Sequence, residues 1–311
     1  MEANKVNSDE IKLRDLAVIL WDHKVFIVLF TAVCSIAAVA YAISKPNVYT
    51  AHGLYMPKSE GSTGSLSKLA GQFGGLASLA GVSLGSGSSD KTEVALELIE
   101  SRAFLQSVID KYELLPELLA VQGWDREADT LIYDAELYDA QSKKWVREAP
   151  PGKGVIPTPW EGYETLKESI NVEFDPKKGV VKLSVTYFSP ELAAKLLNII
   201  VAELNSFWQQ RQITETQKYI DALAEQAQKT QLAELKEVFY ELIAEQTKTN
   251  LLSKVSDEAM FETVAAAVVP EEKSAPSRAL ICVVAFIFSG SIASIVALFY
   301  GLASRREKIY G

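Results

Sequence analysis

The longest regular pattern in the chain lies between Pro190 and Pro270, where no glycine or proline interrupts a helical spacing of apolar residues. Glycine and proline break helices most strongly, so a gap of this length predicts extended helix. Ser189 is a favourable N-cap, and Pro190 suits the first helical position. Apolar residues are dense as far as Phe207 and Trp208, which predicts packing on a folded domain. Beyond them the apolar residues thin to a stripe spaced like a coiled-coil seam.

A single straight helix does not fit this stretch. Between Phe207 and Thr247 it would climb about 60 Å, whereas residues 251–263 reach back only about 40 Å when fully extended. A turn near residues 229–231 resolves the mismatch and predicts an antiparallel helical hairpin over about residues 190–258. The side chains expected to pack the two helices together are Ile213, Ile220, Leu223, Leu235, Val238 and Leu242.

Two uncharged apolar segments, residues 25–43 and 279–303, are each long enough to cross a membrane as a helix. A cleavable signal peptide is the alternative for the first, because Ala40, Tyr41 and Ala42 resemble a cleavage site. The 24 residues before the apolar run include five acidic ones, which favours a retained anchor.

The spans carry rows of small residues that predict close helix packing, because small faces let helix backbones approach in lipid. Chance is the alternative, since alanine and serine are common in spans. In the second span the row is Ser289, Ala293, Ala297 and Gly301, with Gly290 beside it. In the first span the row is Cys34, Ala38 and Ala42.

The residues between the spans predict one α+β domain whose first and last strands lead directly to the two spans. The predicted strands are residues 48–56, 171–175, 180–188 and 261–269, and the predicted helices outside the hairpin are residues 92–112 and 160–169.

Two stretches between the spans are not assigned to a helix or a strand. The Gly-, Ser- and Ala-rich segment Gly61–Ser89 is too apolar for a solvated linker, so we expect it to pack on the membrane surface or on a neighbouring subunit. Residues 123–159 are turn-rich and aromatic. Their rings either stack on sugars or, as amphipathic rings more often do, pin a long loop to its own domain.

Charge favours cytoplasmic termini, because basic residues flank the outer ends of both spans. The expected order is a leader (residues 1–24), a span (25–43), an exported domain (44–278), a second span (279–303) and a tail (304–311). The exported segment has 24 basic and 34 acidic residues, a net charge of −10, which disfavours nucleic-acid binding. Both cysteines lie in the spans, so no disulfide is expected outside them.

Catalytic motifs are missing from the sequence. It contains no phosphate-binding loop, no HExxH zinc motif, no GxSxG nucleophile elbow and no metal-spaced Cys/His cluster, and its histidines are His23 and His52. Nothing selects a carboxylate pair for glycoside chemistry. The sequence therefore predicts a protein that is not an enzyme and has no cofactor.

Four stretches together resemble the Wzz-type chain-length determinants, or polysaccharide co-polymerases. They are LASLAG within Gly74–Gly81, SDKTEVALELIESRAFLQSVI at Ser89–Ile109, SPELAAKLLNIIV at Ser189–Val201, and AAVVPEEKSAPSRALI at Ala266–Ile281. The last contains Pro270 and Pro276, the membrane-proximal proline motif, and is the most specific. The resemblance implies a bacterial inner-membrane protein with a periplasmic central domain. It also implies ring-shaped homo-oligomers that set the modal length of a polysaccharide such as O-antigen.

The partners that the resemblance implies are a membrane-embedded polymerase and, as a further candidate, the nascent lipid-linked polysaccharide. Relatives that serve capsule or exopolysaccharide export often carry or recruit a tyrosine kinase. The eight residues after Ala303 hold one tyrosine, Tyr310, so a kinase would be a separate chain. Export with such a kinase is one alternative function. A periplasmic adaptor of an export system and a two-span sensor are the others, although the cytoplasmic parts are short for signalling.

Overall fold

The computed structural model describes residues 20–58 and 87–310, and the chain divides into two units. One unit comprises the two end segments, residues 1–47 and 274–311, and the other comprises residues 48–273. The leader before Leu20 and most of Gly61–Ser89 lie outside the described residues, so the expectations for them stay predictions.

The end-segment unit consists of two long apolar helices, α1 (Lys24–Ser44) and α8 (Arg278–Tyr310). By length and composition, Lys24–Ser44 and Arg278–Gly301 each suffice to cross a membrane, with a mean hydropathy of 2.5. These two apolar segments coincide with the two predicted spans to within two residues at each end.

A four-stranded antiparallel sheet forms the base of the central unit. Its strands lie in the order β6-β7-β1-β8, so the first and last strands of the chain are neighbours. Their bounds are β1 Tyr49–Pro57, β6 Ile170–Asp175, β7 Val180–Tyr187 and β8 Phe261–Ala265. The predicted last strand, residues 261–269, is too long. Its ladder with β1 shifts register between Leu54 and Tyr55 and ends at Ala265.

Residues 92–112 form two helices rather than the single helix predicted. Helix α2 (Gly87–Glu100) ends before Ser101, whose backbone is extended, and helix α3 (Arg102–Lys111) begins after it. The Ser101 hydroxyl accepts a hydrogen bond from the backbone N–H of Phe104, as an N-cap does. Serine therefore stops one helix and starts the next, a break that apolar spacing alone does not reveal.

The stretch after α3 contains more regular structure than predicted. A short helix α4 (Leu115–Leu119) precedes two small hairpins, after which helix α5 (Pro159–Ser169) leads into β6. The strands of the hairpins are β2 Val121–Asp125, β3 Thr130–Tyr133, β4 Tyr138–Asp139 and β5 Lys144–Trp145.

Aromatic rings of these hairpins contact one another and the sheet. Tyr138 packs against Tyr133 and Trp145, with centroids 5.4 and 5.2 Å apart, and Trp124 meets Tyr49 of β1 edge-on at 5.4 Å. These four rings therefore pin the hairpins to their own domain, as the second reading of this stretch expected.

The extended helical hairpin is present. Helix α6 (Pro190–Lys229) and helix α7 (Ala233–Lys254) pack against each other, joined by residues 230–232, where the turn was expected. The first half of α6 covers the sheet. Its side chains form the core with the inner face of β7, and the members include Leu183, Leu196, Leu197, Ile200 and Leu204, each at most 1% exposed.

One buried polar side chain joins the hairpin to the last strand. Asn205 of α6 is 3% exposed. Its Nδ2 donates to the Phe261 carbonyl oxygen (3.0 Å), and its Oδ1 accepts from the backbone N–H groups of Met260 (2.9 Å) and Phe261 (2.8 Å). Three backbone groups of Met260 and Phe261 are thereby paired within the core.

We expect Asn205→Ala to lower the free energy of unfolding by about 3 kcal/mol, because it leaves buried backbone groups of Met260 and Phe261 unpaired. Urea unfolding of the purified protein in detergent, followed by tryptophan fluorescence, measures the change. Asn171→Ala, at an exposed position of β6, is the control and should unfold like the wild type. Equal midpoints for the two variants would contradict the role of Asn205.

Candidate functional site

Helices α1 and α8 pack against each other in opposite directions. Three contacts run from one end of the pair to the other: Arg278 Nε donates to the Ala42 carbonyl oxygen (3.2 Å), a methyl group at Gly290 would lie 3.8 Å from Thr31 Oγ1, and the Tyr300 ring meets the His23 ring edge-on at 5.9 Å. These contacts establish the register of the two helices along the whole pair.

The small residues singled out in the spans are all turned inward. Ser289 is 6% exposed and Ala293, Ala297 and Ala42 are each 1% exposed. Gly301 is buried, and Cys34, Ala38 and Gly290 are half-buried. The register shows that the two rows do not face each other along their length. Residues 34–42 lie opposite the first part of α8, whereas residues 293–301 lie opposite the first part of α1.

Sequence reasoning missed two hydroxyl side chains at this contact. Thr31 Oγ1 and Ser35 Oγ are buried without a hydrogen-bond partner in the described part of the chain. They are four residues apart and therefore share a helix face. Polar side chains in a span usually face another helix rather than lipid, so this spacing was the signal available in the sequence.

The side chains predicted to pack the helical hairpin divide into two groups. Ile213, Ile220, Leu223 and Leu242 are half-buried. The other two, Leu235 and Val238, are 46% and 41% exposed. Polar or small side chains are buried instead, and these are Thr216, Ala227 and Asn250.

Helix α7 consequently presents apolar side chains to solvent. We call these residues the α7 surface: Leu235, Val238, Tyr240, Leu251 and Leu252, all between 41% and 59% exposed. Large exposed apolar surfaces on a protein usually mark an interaction site.

The two helices of the hairpin are also joined by a polar contact. Gln209 Nε2 donates to the carbonyl oxygens of Ser253 and Ser256, both at 2.9 Å. Together with Asn205, it fixes the end of α7 against α6 and determines where the chain enters β8.

The residues of the proline motif are both half-buried, with Pro270 after β8 and Pro276 two residues before α8. They belong to different units of the chain. The part of the motif between them is exposed except for Ala275.

An ion pair orders the loop before α5. Arg147 donates through Nη1 and Nη2 to the two carboxylate oxygens of Glu161 (2.8 and 3.1 Å), and its Nε and Nη2 donate to the carbonyl oxygens of Val155 and Gly154. The hydrogen bonds from Arg147 lower the pKa of Glu161 to about 2. Every donor of this arginine that faces the loop is used internally, so the pair has a structural role.

A second carboxyl group, that of Glu117, has one oxygen, Oε2, buried without a hydrogen-bond partner in the described part of the chain. Burial raises the pKa of Glu117 above its usual range. The Tyr187 hydroxyl donates to the carbonyl oxygen of the same residue, and burial likewise raises the pKa of Tyr187. The Tyr187 hydroxyl thus joins α4 to β7.

Metal and nucleophile chemistry have no support in this arrangement. Among residues 20–58 and 87–310, no group of three or more His, Cys, Asp or Glu side chains is placed to hold a metal ion. The two cysteines are free and lie in α1 and α8. The features left are surfaces suited to binding: the span contact, the α7 surface and a groove beside α6.

Comparison with solved structures finds bacterial polysaccharide co-polymerases. A full-length bacterial polysaccharide co-polymerase is 16% identical, with 94% of this chain and 99% of that chain covered at a TM-score of 0.37. A fragment of WzzB, a polysaccharide co-polymerase from Salmonella Typhimurium, is 13% identical, with 74% and 100% covered at a TM-score of 0.27. Because both TM-scores are below 0.5, neither structure supports a conclusion about the function of this chain. No curated protein matches the chain in sequence.

A family model does match part of the chain. Residues 9–112 match the model "Wzz: Chain length determinant protein". The match includes α1, β1 and the Ser89–Ile109 stretch, whereas Ser189–Val201 and the proline motif lie outside it. Over residues 9–112, the resemblance to the Wzz-type chain-length determinants that the sequence predicted is therefore confirmed.

Proposed function

We propose that the protein is a non-enzymatic scaffold that regulates the modal chain length of a cell-surface polysaccharide, such as an O-antigen-like lipopolysaccharide. It acts beside a separate, membrane-embedded polymerase. The match of residues 9–112 to the chain-length determinant model is the observation that carries this proposal.

The two-helix end unit supports a membrane location, and we assign the protein to the bacterial inner membrane. The domain order is a cytoplasmic leader (residues 1–24), a span (25–43), a periplasmic domain (44–278), a second span (279–303) and a cytoplasmic tail (304–311). This orientation is based on the basic residues that flank the two spans, Lys24 before the first and Arg305 and Arg306 after the second.

We expect a reporter that is active only in the periplasm to be silent when fused after Gly311. The same reporter fused after Lys45, behind the first span alone, should be active and is the matched control. Enzyme assays on whole cells at equal fusion levels measure both. Activity of the Gly311 fusion would overturn the topology and, with it, the proposed function.

We further propose a homo-oligomer. A ring is the expected arrangement, because it covers the α7 surface of every copy. The α7 surface supports association, because its side chains find no cover within the described part of the chain. Hairpins lying side by side would bury this surface without any change in the fold of the base.

Leu235→Glu should weaken self-association about tenfold, because it places a charge in an apolar contact. Mass measurement in mild detergent over a dilution series reports the change. Ala222→Glu adds the same charge at an exposed position of α6, outside the α7 surface, and is the control. A wild-type protein that is a monodisperse monomer would contradict the oligomer.

Deletion of the gene should abolish the modal cluster of bands on a silver-stained lipopolysaccharide gel, since chain ends would then be determined by the polymerase alone. Re-expression of the full chain should restore the cluster. An unchanged ladder would refute the lipopolysaccharide assignment. The amount of exported capsule in the same strain would then test the export alternative.

The contact between the spans is expected to contribute to length control. Ala293→Leu or Ala297→Leu overpacks a buried position, at a cost of about 1–3 kcal/mol, and should broaden the modal distribution while the protein is still inserted. Ser291→Leu, at an exposed position of the same helix, is the control. Distributions identical to the wild type for both alanine variants, at equal protein level, would show that this contact has no part in length control.

A further inference from the structure

The groove between α3 and α6 has no role in the proposal above. It has a volume of about 580 Å³, within the usual range for sites that hold small organic ligands. Phe104 and Ser107 of α3 form one side. The other side is a single face of α6, from Glu203 to Lys218, whose lining residues recur every three or four positions.

An aromatic ring is exposed in this groove. Phe207 belongs to the dense apolar part of α6, for which the sequence predicts packing on the folded domain. The side chain is instead 43% exposed and lines the groove, whereas Phe104 opposite it is 5% exposed and belongs to the core. The groove thus combines a buried apolar floor with an open ring face.

Hydrogen-bonding groups beside this ring are not engaged. Within the described residues, the side chains of Ser206, Gln210 and Lys218 make no hydrogen bond and no ion pair, although all three line the groove. Hydroxyl, amide and ammonium groups are therefore available along three turns of one helix face.

The carboxylates of the groove, in contrast, are already paired. Glu203 accepts hydrogen bonds from Lys111 Nζ and the Tyr112 hydroxyl, both at 2.7 Å, and Arg211 Nε donates to Glu215 at 2.9 Å. Burial raises the pKa of Glu203, but the hydrogen bonds from Lys111 and Tyr112 outweigh burial and the pKa lies below its usual range. The carboxylate is therefore held ionised and in place, and Lys218 carries the charge of the lining that has no partner within the described residues.

We propose that this groove binds a short segment of a saccharide chain, with a sugar ring against Phe207 and its hydroxyl groups hydrogen-bonded to Ser206, Gln210 and Lys218. A sugar ring has an apolar C–H face and a rim of hydroxyls, which matches an exposed aromatic face bordered by free polar groups. A lipid tail would need a continuous apolar wall, whereas the lining residues other than Phe104 and Phe207 are polar. The inference rests on the proposed function in one respect, since it gives that scaffold a direct contact with its polymer.

The test uses the full-length protein in detergent and short oligosaccharides, separated by size, that mild acid releases from the surface polysaccharide of the producing strain. Titration calorimetry measures affinity, and saturation-transfer NMR detects which sugar protons touch the protein. We expect Phe207→Ala to bind about tenfold more weakly than the wild type, and Phe207→Trp to restore binding. Gln210→Ala should weaken binding without removing the aromatic contact.

Tyr219→Ala is the matched control, because Tyr219 is a 66% exposed ring on the same helix that does not line the groove. Its affinity should stay within about twofold of the wild type, less than 0.5 kcal/mol. Absence of binding by the wild type, or equal affinity of Phe207→Ala and the wild type, would overturn the site. A changed oligomer mass in Phe207→Ala with unchanged sugar affinity would instead assign the groove to a contact between copies of the chain.

The two experiments distinguish failure of the groove assignment from failure of the proposed function. If the deletion strain loses its modal bands and no oligosaccharide binds, length control stands and the groove assignment fails. If the ladder is unchanged and the oligosaccharide still binds through Phe207, the groove assignment stands and the assignment to lipopolysaccharide length control fails.

Discussion

The buried side-chain amide of Asn205 satisfies three backbone groups at the one place where the helical hairpin, the sheet and the last strand meet. A helix of 40 residues rises about 60 Å, so α6 carries the chain far from the sheet on which it starts. The chain must return over α7 and enter β8 next to β1. An amide that both donates and accepts fixes this entry point, where an apolar side chain would leave buried N–H groups unpaired. Gln209 repeats the arrangement one turn later, against the end of α7.

Much of this fold follows from patterns that act locally. The absence of glycine and proline after Pro190 predicts the helices of the hairpin, and path length alone requires the turn that residues 230–232 make. The two long apolar helices are predicted by two apolar segments that carry no charge and are long enough to cross a membrane. The secondary-structure predictions that were wrong or incomplete also have local causes. Ser101 interrupts a helix through its own N-cap hydrogen bond, and strands of two residues, such as β4, are too short to show an alternating pattern.

The candidate site was less predictable, because it depends on residues far apart in the chain. Phe104 and Phe207 look alike in sequence, each an aromatic residue in an apolar helix, yet one is buried and the other lines a groove. Leu235 and Val238 match a coiled-coil stripe, but α7 meets α6 through positions such as Asn250 and leaves those two side chains exposed. Periodicity gives the presence of an apolar face. It does not give the rotation of one helix against the other, which depends on contacts between residues far apart in the chain, such as the hydrogen bond from Gln209 to the Ser253 carbonyl oxygen.

The span contact and the α7 surface differ in the strength of association that they can supply. The buried face of the two apolar helices is made of alanine, glycine and serine, together with the hydroxyls of Thr31 and Ser35. In lipid such contacts gain dispersion and occasional hydrogen bonds of about 0.6 kcal/mol each, with no hydrophobic drive. Side chains on α7, in contrast, are surrounded by water, where burial of one leucine contributes about 1.5–3 kcal/mol. If copies of the chain associate, the free energy therefore comes mainly from the helical hairpin. The span contact holds α1 and α8 together within one chain.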